Sequence, residues 1–191
     1  MKIELHLCAL DPGMVRAWGK YFGSAPHVVL HECDILSRVG EAILSPANSF
    51  GFMDGGIDLA YSHYFGWELQ ERLQQAFREK HAGELPVGSA EIVPTNHTSI
   101  PFLISAPTMR VPADVSETVN VYLAFRAALL VALRSNIRTL LSPALGTGVG
   151  GMPFERAARQ MHAAYSEIVL GDVAWRSTAR GVLRHHAHLL S

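Results

Sequence analysis

The sequence predicts an α/β fold of three layers, α/β/α, with a mixed and mainly parallel central sheet. Short apolar strand segments alternate along the chain with longer amphipathic helices, a pattern that gives a sheet covered on both faces. The length of 191 residues, 49% of them hydrophobic, suits one well-buried core. No internal repeat or linker divides the chain. We therefore expect a single domain over residues 1–191.

The chain begins with a predicted strand and a predicted helix. Alternating polarity puts Ile3, Leu5 and Leu7 on one side of the strand. The tripeptide "DPG" at 11–13 then provides a capping aspartate and a proline at the first helical position. This pattern predicts a helix that continues to about Phe22.

Two more strands and a long helical segment follow. The apolar runs "HVVL" at 27–30 and "AILS" at 42–45 are typical of strands that are buried on both faces. Residues 57–80 have apolar side chains at helical spacing, although Gly66 is a candidate break. This order continues the alternation of strand and helix.

The second half of the chain repeats the alternation. Its predicted strands are "AEIVPT", "FLISAPT" and "RTLLSPAL", and "TVNVYLAFRAALLVALRSN" is its strongest helical segment. Ser116 or Thr118 would cap that helix. Pro153 opens a last amphipathic helix, and the tail from Gly171 has no assignment from the sequence.

Composition and charge give no support to several classes of function. The formal charge is -1 and the basic residues are scattered, so there is no general nucleic-acid-binding signature and no basic surface for a membrane. No apolar run is long enough to cross a bilayer, and the alternating N-terminal segment differs from the apolar core of a signal peptide. We therefore expect a cytoplasmic protein without a membrane partner.

The cysteines and histidines do not predict a metal site. Cys8 and Cys33 cannot make a disulfide framework, and they form no CxxC pair. The run "HHAH" at 185–188 has no partner cysteines and no HExxH spacing. We expect a reducing compartment, no metal and no cofactor.

Two glycine-rich loops each lie between a predicted strand and a predicted helix. They are "SPANSFGFMDGGID" at 45–58 and "ALGTGVGGMPFERA" at 144–157. Ligands of such folds bind at the carboxyl ends of strands, and glycine lets the N–H groups at a helix start approach an anion. Neither loop has the lysine with which a P-loop reaches the β and γ phosphates. The loops therefore predict a diphosphate ligand, unless the glycines only turn the chain.

Three polar residues could act on such a ligand, and each has a structural alternative. Asn48 can fix a sugar hydroxyl or a water, or it caps a turn. Asp58, ten positions later, can orient or deprotonate that water, or it only favours its helix dipole. Asp34 can accept a hydrogen bond from an exocyclic amine, or it caps the segment from Ile35. The residues alone leave these alternatives open.

Four segments occur in an order that resembles the macrodomain family, the ADP-ribose-binding α/β/α module. They are "CDIL", "ILSPAN", "MDGGID" and "SPALGTGVGGMPF", and the resemblance covers about residues 28–165. It implies a macrodomain-like fold. It also implies that the partner is ADP-ribose, free or attached to a protein, a small molecule or DNA.

The resemblance also implies roles for single residues. Asp34 would bind the adenine amine with Ile35 beside it, and Asn48 would meet the distal ribose. The diphosphate and neighbouring groups would lie against Gly55, Gly56, Ile57, Gly146, Thr147, Gly148, Val149, Gly150, Gly151 and Met152. The interval from Asn48 to Asp58 equals that of MacroD-type members, which remove ADP-ribose from acidic side chains or deacetylate O-acetyl-ADP-ribose.

The sequence departs from the family's pattern at several positions. Ser45 replaces the first Asn of Asn-Ala-Ala-Asn, and Ser62 stands where MacroD-type members have a histidine. Gly150 stands where many members pack an aromatic on the distal ribose, which leaves Phe52 for that contact. The Gly-Gly ending of the second loop is similar to the antitoxin class that removes ADP-ribose from DNA, although the lysine of that class is Gly55 here.

These features give two main hypotheses. The first is a metal-independent ADP-ribosyl hydrolase in which Asn48 and Asp58 are catalytic and a water held by Asp58 attacks. The alternative is a non-catalytic reader that binds ADP-ribose. A more distant reading is a module for another nucleotide or for a protein partner.

Overall fold

The computed structural model describes residues 3–46 and 48–191. Met1, Lys2 and Ala47, which belong to the predicted first strand and first glycine loop, lie outside the described residues. The strands of the central sheet are β1 (Glu4–Ala9), β2 (Val28–Glu32), β3 (Ala42–Ser45), β4 (Glu91–Pro94), β5 (Phe102–Ser105) and β6 (Thr139–Ser142). They lie in the order β2-β1-β6-β3-β5-β4.

The sheet is mixed and mainly parallel, as the sequence predicted. The pairs β1 with β2, β1 with β6, β3 with β5 and β3 with β6 are parallel. Only the edge strand β4 is antiparallel to its neighbour among the described strands. The carboxyl ends of the parallel strands therefore meet at one edge of the sheet.

Helices cover both faces of the sheet. They are α1 (Pro12–Phe22), α2 (Gly56–Phe65), α3 (Glu68–His81), α4 (Asn120–Arg134), α5 (Phe154–Ile168) and α6 (Ala179–Leu190), with 3-10 turns at Ile35–Ser37 and Ala174–Ser177. Buried side chains of α1, α4, α5 and α6 share one core with the sheet, and those of α2 and α3 share a second. The predicted three-layer α/β/α fold is confirmed.

Several predicted element boundaries are confirmed. The Asp11 carboxylate accepts the Gly13 N–H at 2.7 Å and caps α1, which ends at Phe22 as expected. The segment 57–80 is divided at Gly66, whose φ of 91° is one that side-chain-bearing residues rarely adopt. The single long helix of the sequence pattern is therefore two helices, α2 and α3.

Three expectations are wrong in detail. β2 is an edge strand with Val29 38% exposed, so it is not buried on both faces. Helix α4 begins at Asn120, after the proposed caps, although the Thr118 hydroxyl accepts the Asn120 N–H at 3.2 Å. The helix that follows Pro153 is not the last, because α6 comes after it.

The tail is attached through a buried carboxylate. Glu167 on α5 accepts hydrogen bonds from Tyr122 and Arg176, and from Nε of Arg126 at 2.5 Å. The ring of Trp175 stacks on His185 of α6, with centroids 3.8 Å apart. These contacts hold the segment after α5 against α4 and α5. Within residues 3–46 and 48–191, no helix is long and apolar enough to cross a membrane.

Candidate functional site

A cavity of about 640 Å³ opens at the carboxyl edge of the sheet. Its walls come from the segments that follow β1, β2, β3, β5 and β6, together with the start of α2 and Phe154 of α5. Parallel α/β sheets bind their ligands at this edge. The volume is that of a typical small-molecule site.

The structure brings most of the predicted site residues together around this cavity. The lining includes Asp34, Ile35, Asn48, Phe52, Gly55, Gly56, Ile57, Asp58, Gly146, Thr147, Gly148, Val149 and Gly150. Gly151 and Met152 do not line it. Their N–H groups donate to the carbonyls of Gly148 and Gly146, at 3.0 and 2.9 Å. These two residues therefore stabilise the fold of the second loop through backbone hydrogen bonds within it.

The first loop ends at the N-terminus of α2, which faces the cavity. Gly55 occupies the capping position, and no side chain caps the helix. The first N–H groups of a helix have no partner within it, and they carry the positive end of its dipole. A Cβ at Gly55 or Gly56 would meet no atom of the described residues within 4 Å, so there is open space beside the start of this helix. The geometry suits an anion.

The second loop folds tightly on itself opposite α2. The Gly150 carbonyl accepts the Val115 N–H at 2.9 Å, which ties the loop to the start of the segment before α4. Gly146 has a φ of 69°, and a Cβ there would lie 2.7 Å from Cγ2 of Val121. Glycine is thus required at position 146 by the fold of the loop. At Gly148 the space is open.

The charged side chains of the cavity are all acidic. Asp11, Asp34, Asp54 and Asp58 line it, and no lysine, arginine or histidine among the described residues does so. A bound anion would therefore be held by backbone N–H groups and helix dipoles rather than by cationic side chains.

Asn48 holds the first loop in shape. Its amide nitrogen donates to the Phe52 carbonyl at 2.8 Å, and its amide oxygen accepts the N–H groups of Phe50 and Phe52 at 3.1 and 3.3 Å. The structural alternative for this residue, a turn cap, is therefore what the structure shows. Asn48 also lines the cavity, so a ligand could reach its amide.

Asp58 is a buried carboxyl at the cavity wall. It lies in the first turn of α2 and is 5% exposed. Burial raises its pKa to about 7, and the nearby Ser45 hydroxyl opposes that shift. Neither the Ser45 hydroxyl nor Oδ1 of Asp58 has a hydrogen-bond partner among the described residues. A carboxyl with this pKa can give and accept a proton near neutral pH.

Asp34 is both a cap and a lining residue of the cavity. It caps the 3-10 turn by accepting the Leu36 N–H at 2.9 Å, and it also lines the cavity beside the buried Ile35. A carboxylate has acceptor capacity left after one such bond. Phe52 also lines the cavity, and the residue is 52% exposed.

One wall of the cavity was not predicted from the sequence. Cys8 lies near the end of β1, Leu10 and Asp11 follow that strand, and all three line the cavity together with Cys33. Burial, and then the adjacent Cys33 thiol, raise the pKa of the Cys8 thiol to about 12. The available signal was the position of "DPG" directly after the first strand, at the same sheet edge as the glycine loops.

The histidine-rich tail takes no part in the cavity. Neither Trp175 nor His185 lines it, and they stack on each other instead. In the part of the chain that the structure describes, no group of three His, Cys, Asp or Glu side chains could hold a metal ion.

Comparison of the sequence with known families and proteins gives consistent matches. The family model described as "Macro domain" matches residues 44–161. An uncharacterised protein of Aquifex aeolicus is 38% identical over 122 residues, which are 63% of this chain and 70% of that protein. An uncharacterised protein of Aeropyrum pernix is 33% identical over 160 residues, 78% of this chain and 82% of that protein.

Solved macrodomain structures share the fold. The macrodomain of Mycobacterium tuberculosis DarG superposes with a TM-score of 0.63 at 23% identity, covering 73% of this chain and 90% of that one. An Oceanobacillus iheyensis macrodomain with ADP has a TM-score of 0.64 at 24% identity, covering 73% and 75%. DarTG of Thermosipho africanus, in complex with ADP-ribose, has a TM-score of 0.60 at 19% identity, covering 71% and 38%.

Proposed function

The chain belongs to the macrodomain family, and from this premise we propose that its cavity binds ADP-ribose and hydrolyses ADP-ribosyl linkages. Two anion-attracting backbone segments support a diphosphate ligand: the uncapped N-terminus of α2 and the tight glycine loop after β6. The described lining contains no cationic side chain, so backbone N–H groups would have to hold the diphosphate.

The proposed orientation follows from the lining. The adenine amine donates to Asp34, with the ring against Ile35. The diphosphate lies between the start of α2 and residues 146–150. The distal ribose then reaches the part of the cavity lined by Asn48, Phe52 and Asp58.

A single observation carries the hydrolytic part of the proposal. The Asp58 carboxyl is buried at the cavity wall with a pKa of about 7 and with Oδ1 unpaired among the described residues. Ionised Asp58 removes a proton from a water, whose oxygen then attacks the anomeric carbon of the distal ribose. Where an acidic side chain was modified, the bond from that carbon to the acceptor oxygen breaks, and the acceptor leaves with the electron pair as a carboxylate. In O-acetyl-ADP-ribose the water oxygen attacks the acetyl carbonyl carbon instead, and the ribose oxygen leaves and takes up the proton. Activity should rise with pH through about 7.

One observation favours the alternative, a reader that binds ADP-ribose without turnover. Both polar atoms of the Asn48 amide are bonded to the backbone of their own loop. An amide in this state holds the loop, and only its second N–H is left for a ribose hydroxyl. In that case Asp58 would only contribute to the start of its helix.

The experiment compares the wild type with Asp58→Asn, which keeps the shape of the side chain and removes its basicity. Three substrates are assayed: a protein mono-ADP-ribosylated on carboxylates, O-acetyl-ADP-ribose, and ADP-ribosylated DNA. We expect turnover of one of them by the wild type, a loss of roughly a hundredfold or more in the variant, and similar ADP-ribose binding by calorimetry.

The outcomes separate the hypotheses. Binding of ADP-ribose without turnover of any substrate would overturn the hydrolase and leave the reader. Absence of ADP-ribose binding, with binding of another nucleotide, would overturn both. We also propose a reducing compartment such as the cytoplasm, since Cys8 and Cys33 are free thiols.

A further inference from the structure

Three buried oxygen atoms lie without partners behind the cavity wall. They are the hydroxyl oxygens of Ser45 and Ser105, on side chains of residues that are 0% exposed, and Oδ1 of Asp58. None has a hydrogen-bond partner within the described residues. Buried polar groups are nearly always paired in folded proteins, so an unpaired group calls for a functional or structural reason.

The register of the sheet brings these atoms to one place. Ser45 ends β3 and Ser105 ends β5, and the two are direct partners in a parallel pair. Side chains of such partners point to the same face of a sheet. Two residues earlier, Ile43 and Leu103 belong to the core beneath α2 and α3, so the serines also face α2. Asp58 lies in the first turn of that helix.

We propose that Ser105 and Ser45 form a donor chain that positions the Asp58 carboxyl. The Ser105 hydroxyl donates to Oγ of Ser45, and the Ser45 hydroxyl donates to Oδ1 of Asp58. Both serines are positioning residues and do not touch the ligand. An effect of the two serines on catalysis rests on the proposed catalytic role of Asp58. The hydrogen bonds of the donor chain can exist whether or not the protein is an enzyme.

Two other buried hydroxyls show the contrast. Those of Ser62 and Thr108 bond the carbonyls of Met53 and Pro46, at 2.7 and 2.9 Å. Within the described residues, Ser45 and Ser105 have no such backbone partner. Small rotations about their side-chain bonds would satisfy both hydroxyls and the carboxyl oxygen at once, which favours a shared chain.

The donor chain would set both the orientation and the pKa of the Asp58 carboxyl. A donor at Oδ1 directs the other oxygen, Oδ2, toward the cavity, where the attacking water is proposed. A hydrogen bond to the ionised form lowers the pKa of Asp58 and so opposes the effect of burial. The other titratable groups here are Tyr61, on the same helix, and Cys8 and Asp34, which face Tyr61 from the ends of β1 and β2.

The test measures the Asp58 titration directly, by the pH dependence of its carboxyl carbon signal in NMR. Ser45→Ala should raise the pKa of Asp58 by about one unit or more, and Ser105→Ala by less, because it acts through Ser45. The double variant should match Ser45→Ala alone, since removal of Ser45 already breaks the chain. In the pH profile of turnover, the rising limb should move in the same direction.

Two controls match the change without touching the chain. Ser142→Ala removes a buried hydroxyl from the end of β6 that bonds the Pro143 carbonyl, and Ser49→Ala removes another unpaired buried hydroxyl. Both control variants should leave the pKa of Asp58 unchanged. An unchanged pKa of Asp58 in Ser45→Ala would overturn the proposed hydrogen-bond chain from Ser105 to Asp58, even if the wild type turns over substrate. Shifted titrations without turnover would support the chain and count against the hydrolase.

Discussion

A Cβ atom on Gly150 would lie 2.5 Å from the carbonyl oxygen of Gly146. That carbonyl accepts the Met152 N–H at 2.9 Å and closes the second loop. The same Cβ would lie 2.7 Å from Cγ2 of Val115. A side chain at position 150 is therefore incompatible with the loop as it folds here, whatever it could contribute to a ribose.

Gly150→Ala should destabilise both the loop and its ligand complex. The clash involves backbone, so relief requires the loop to move, and overpacking of this kind lowers the free energy of unfolding by about 1–3 kcal/mol. Displaced N–H groups should also weaken ADP-ribose binding. Urea unfolding and calorimetry measure the two effects.

Gly148→Ala is the matched control for stability, because a Cβ there meets no atom within 4 Å. Its unfolding free energy should stay close to that of the wild type. Equal stability of Gly150→Ala and Gly148→Ala would contradict the close approach at Gly150.

Asp34 can be tested for its two roles with two variants. Asp34→Asn keeps an oxygen that can accept the Leu36 N–H, while Asp34→Ala removes it. If the carboxylate accepts the adenine amine, both variants should bind ADP-ribose about 10 to 100 times more weakly. Calorimetry with inosine diphosphate ribose, which lacks the amine, should show that the wild type discriminates and that the variants do not. Wild-type affinity in Asp34→Asn would show that capping is the only role.

The layout of the site was predictable because it depends on local sequence. The strand ends and the glycine loops are both encoded in short segments, and the rule for parallel sheets then places the loops together. The residues of these loops accordingly line one cavity. The capping role of Asp34 was likewise one of two stated alternatives.

The remaining features depend on strand order, which short segments do not encode. The register of Ser45 with Ser105 joins residues 60 positions apart, and only the sheet order reveals it. The same holds for the burial of Asp58, since a carboxylate in the first turn of a helix is usually solvated. The edge position of β2 also follows from sheet order, which is why its apolar run suggested burial.

Glu167 is predicted to stabilise the attachment of the tail. Burial raises its pKa, but the hydrogen bonds from Tyr122 and Arg126 outweigh burial and hold the pKa below its ordinary value. The stabilisation is therefore present above the unfolded pKa and is lost as pH falls through the lower folded value. Glu167→Gln should lower the unfolding free energy at pH 7 by about 1–3 kcal/mol, because it weakens hydrogen bonds to a charged group while the partly exposed arginines stay solvated.

The same variant should increase amide exchange in α6, which mass spectrometry can follow, and leave ADP-ribose affinity unchanged, since Glu167 lies outside the cavity lining. Glu155→Gln removes an exposed ion pair with Lys20 and should change stability very little. Equal effects of the two variants would contradict a special role for the buried carboxylate.

Asp58 should make the protein less stable as pH rises, because its pKa of about 7 lies above the ordinary value of 3.8. Between these values the native state holds a proton that the unfolded state has lost, so the free energy of unfolding falls as pH increases through this range. Asp58→Asn cannot ionise and should escape this loss. At pH 8 it should be more stable than the wild type by about 1–3 kcal/mol, and at pH 4 it should show no gain.

Urea titrations across this pH range provide the measurement, with Asp54→Asn, an exposed carboxyl on the same loop, as the control without a gain. Higher stability at pH 8 together with loss of activity would mean that the fold tolerates the cost of ionising a buried carboxyl because the reaction needs it. A variant that is less stable at every pH would instead make Asp58 a structural residue of α2.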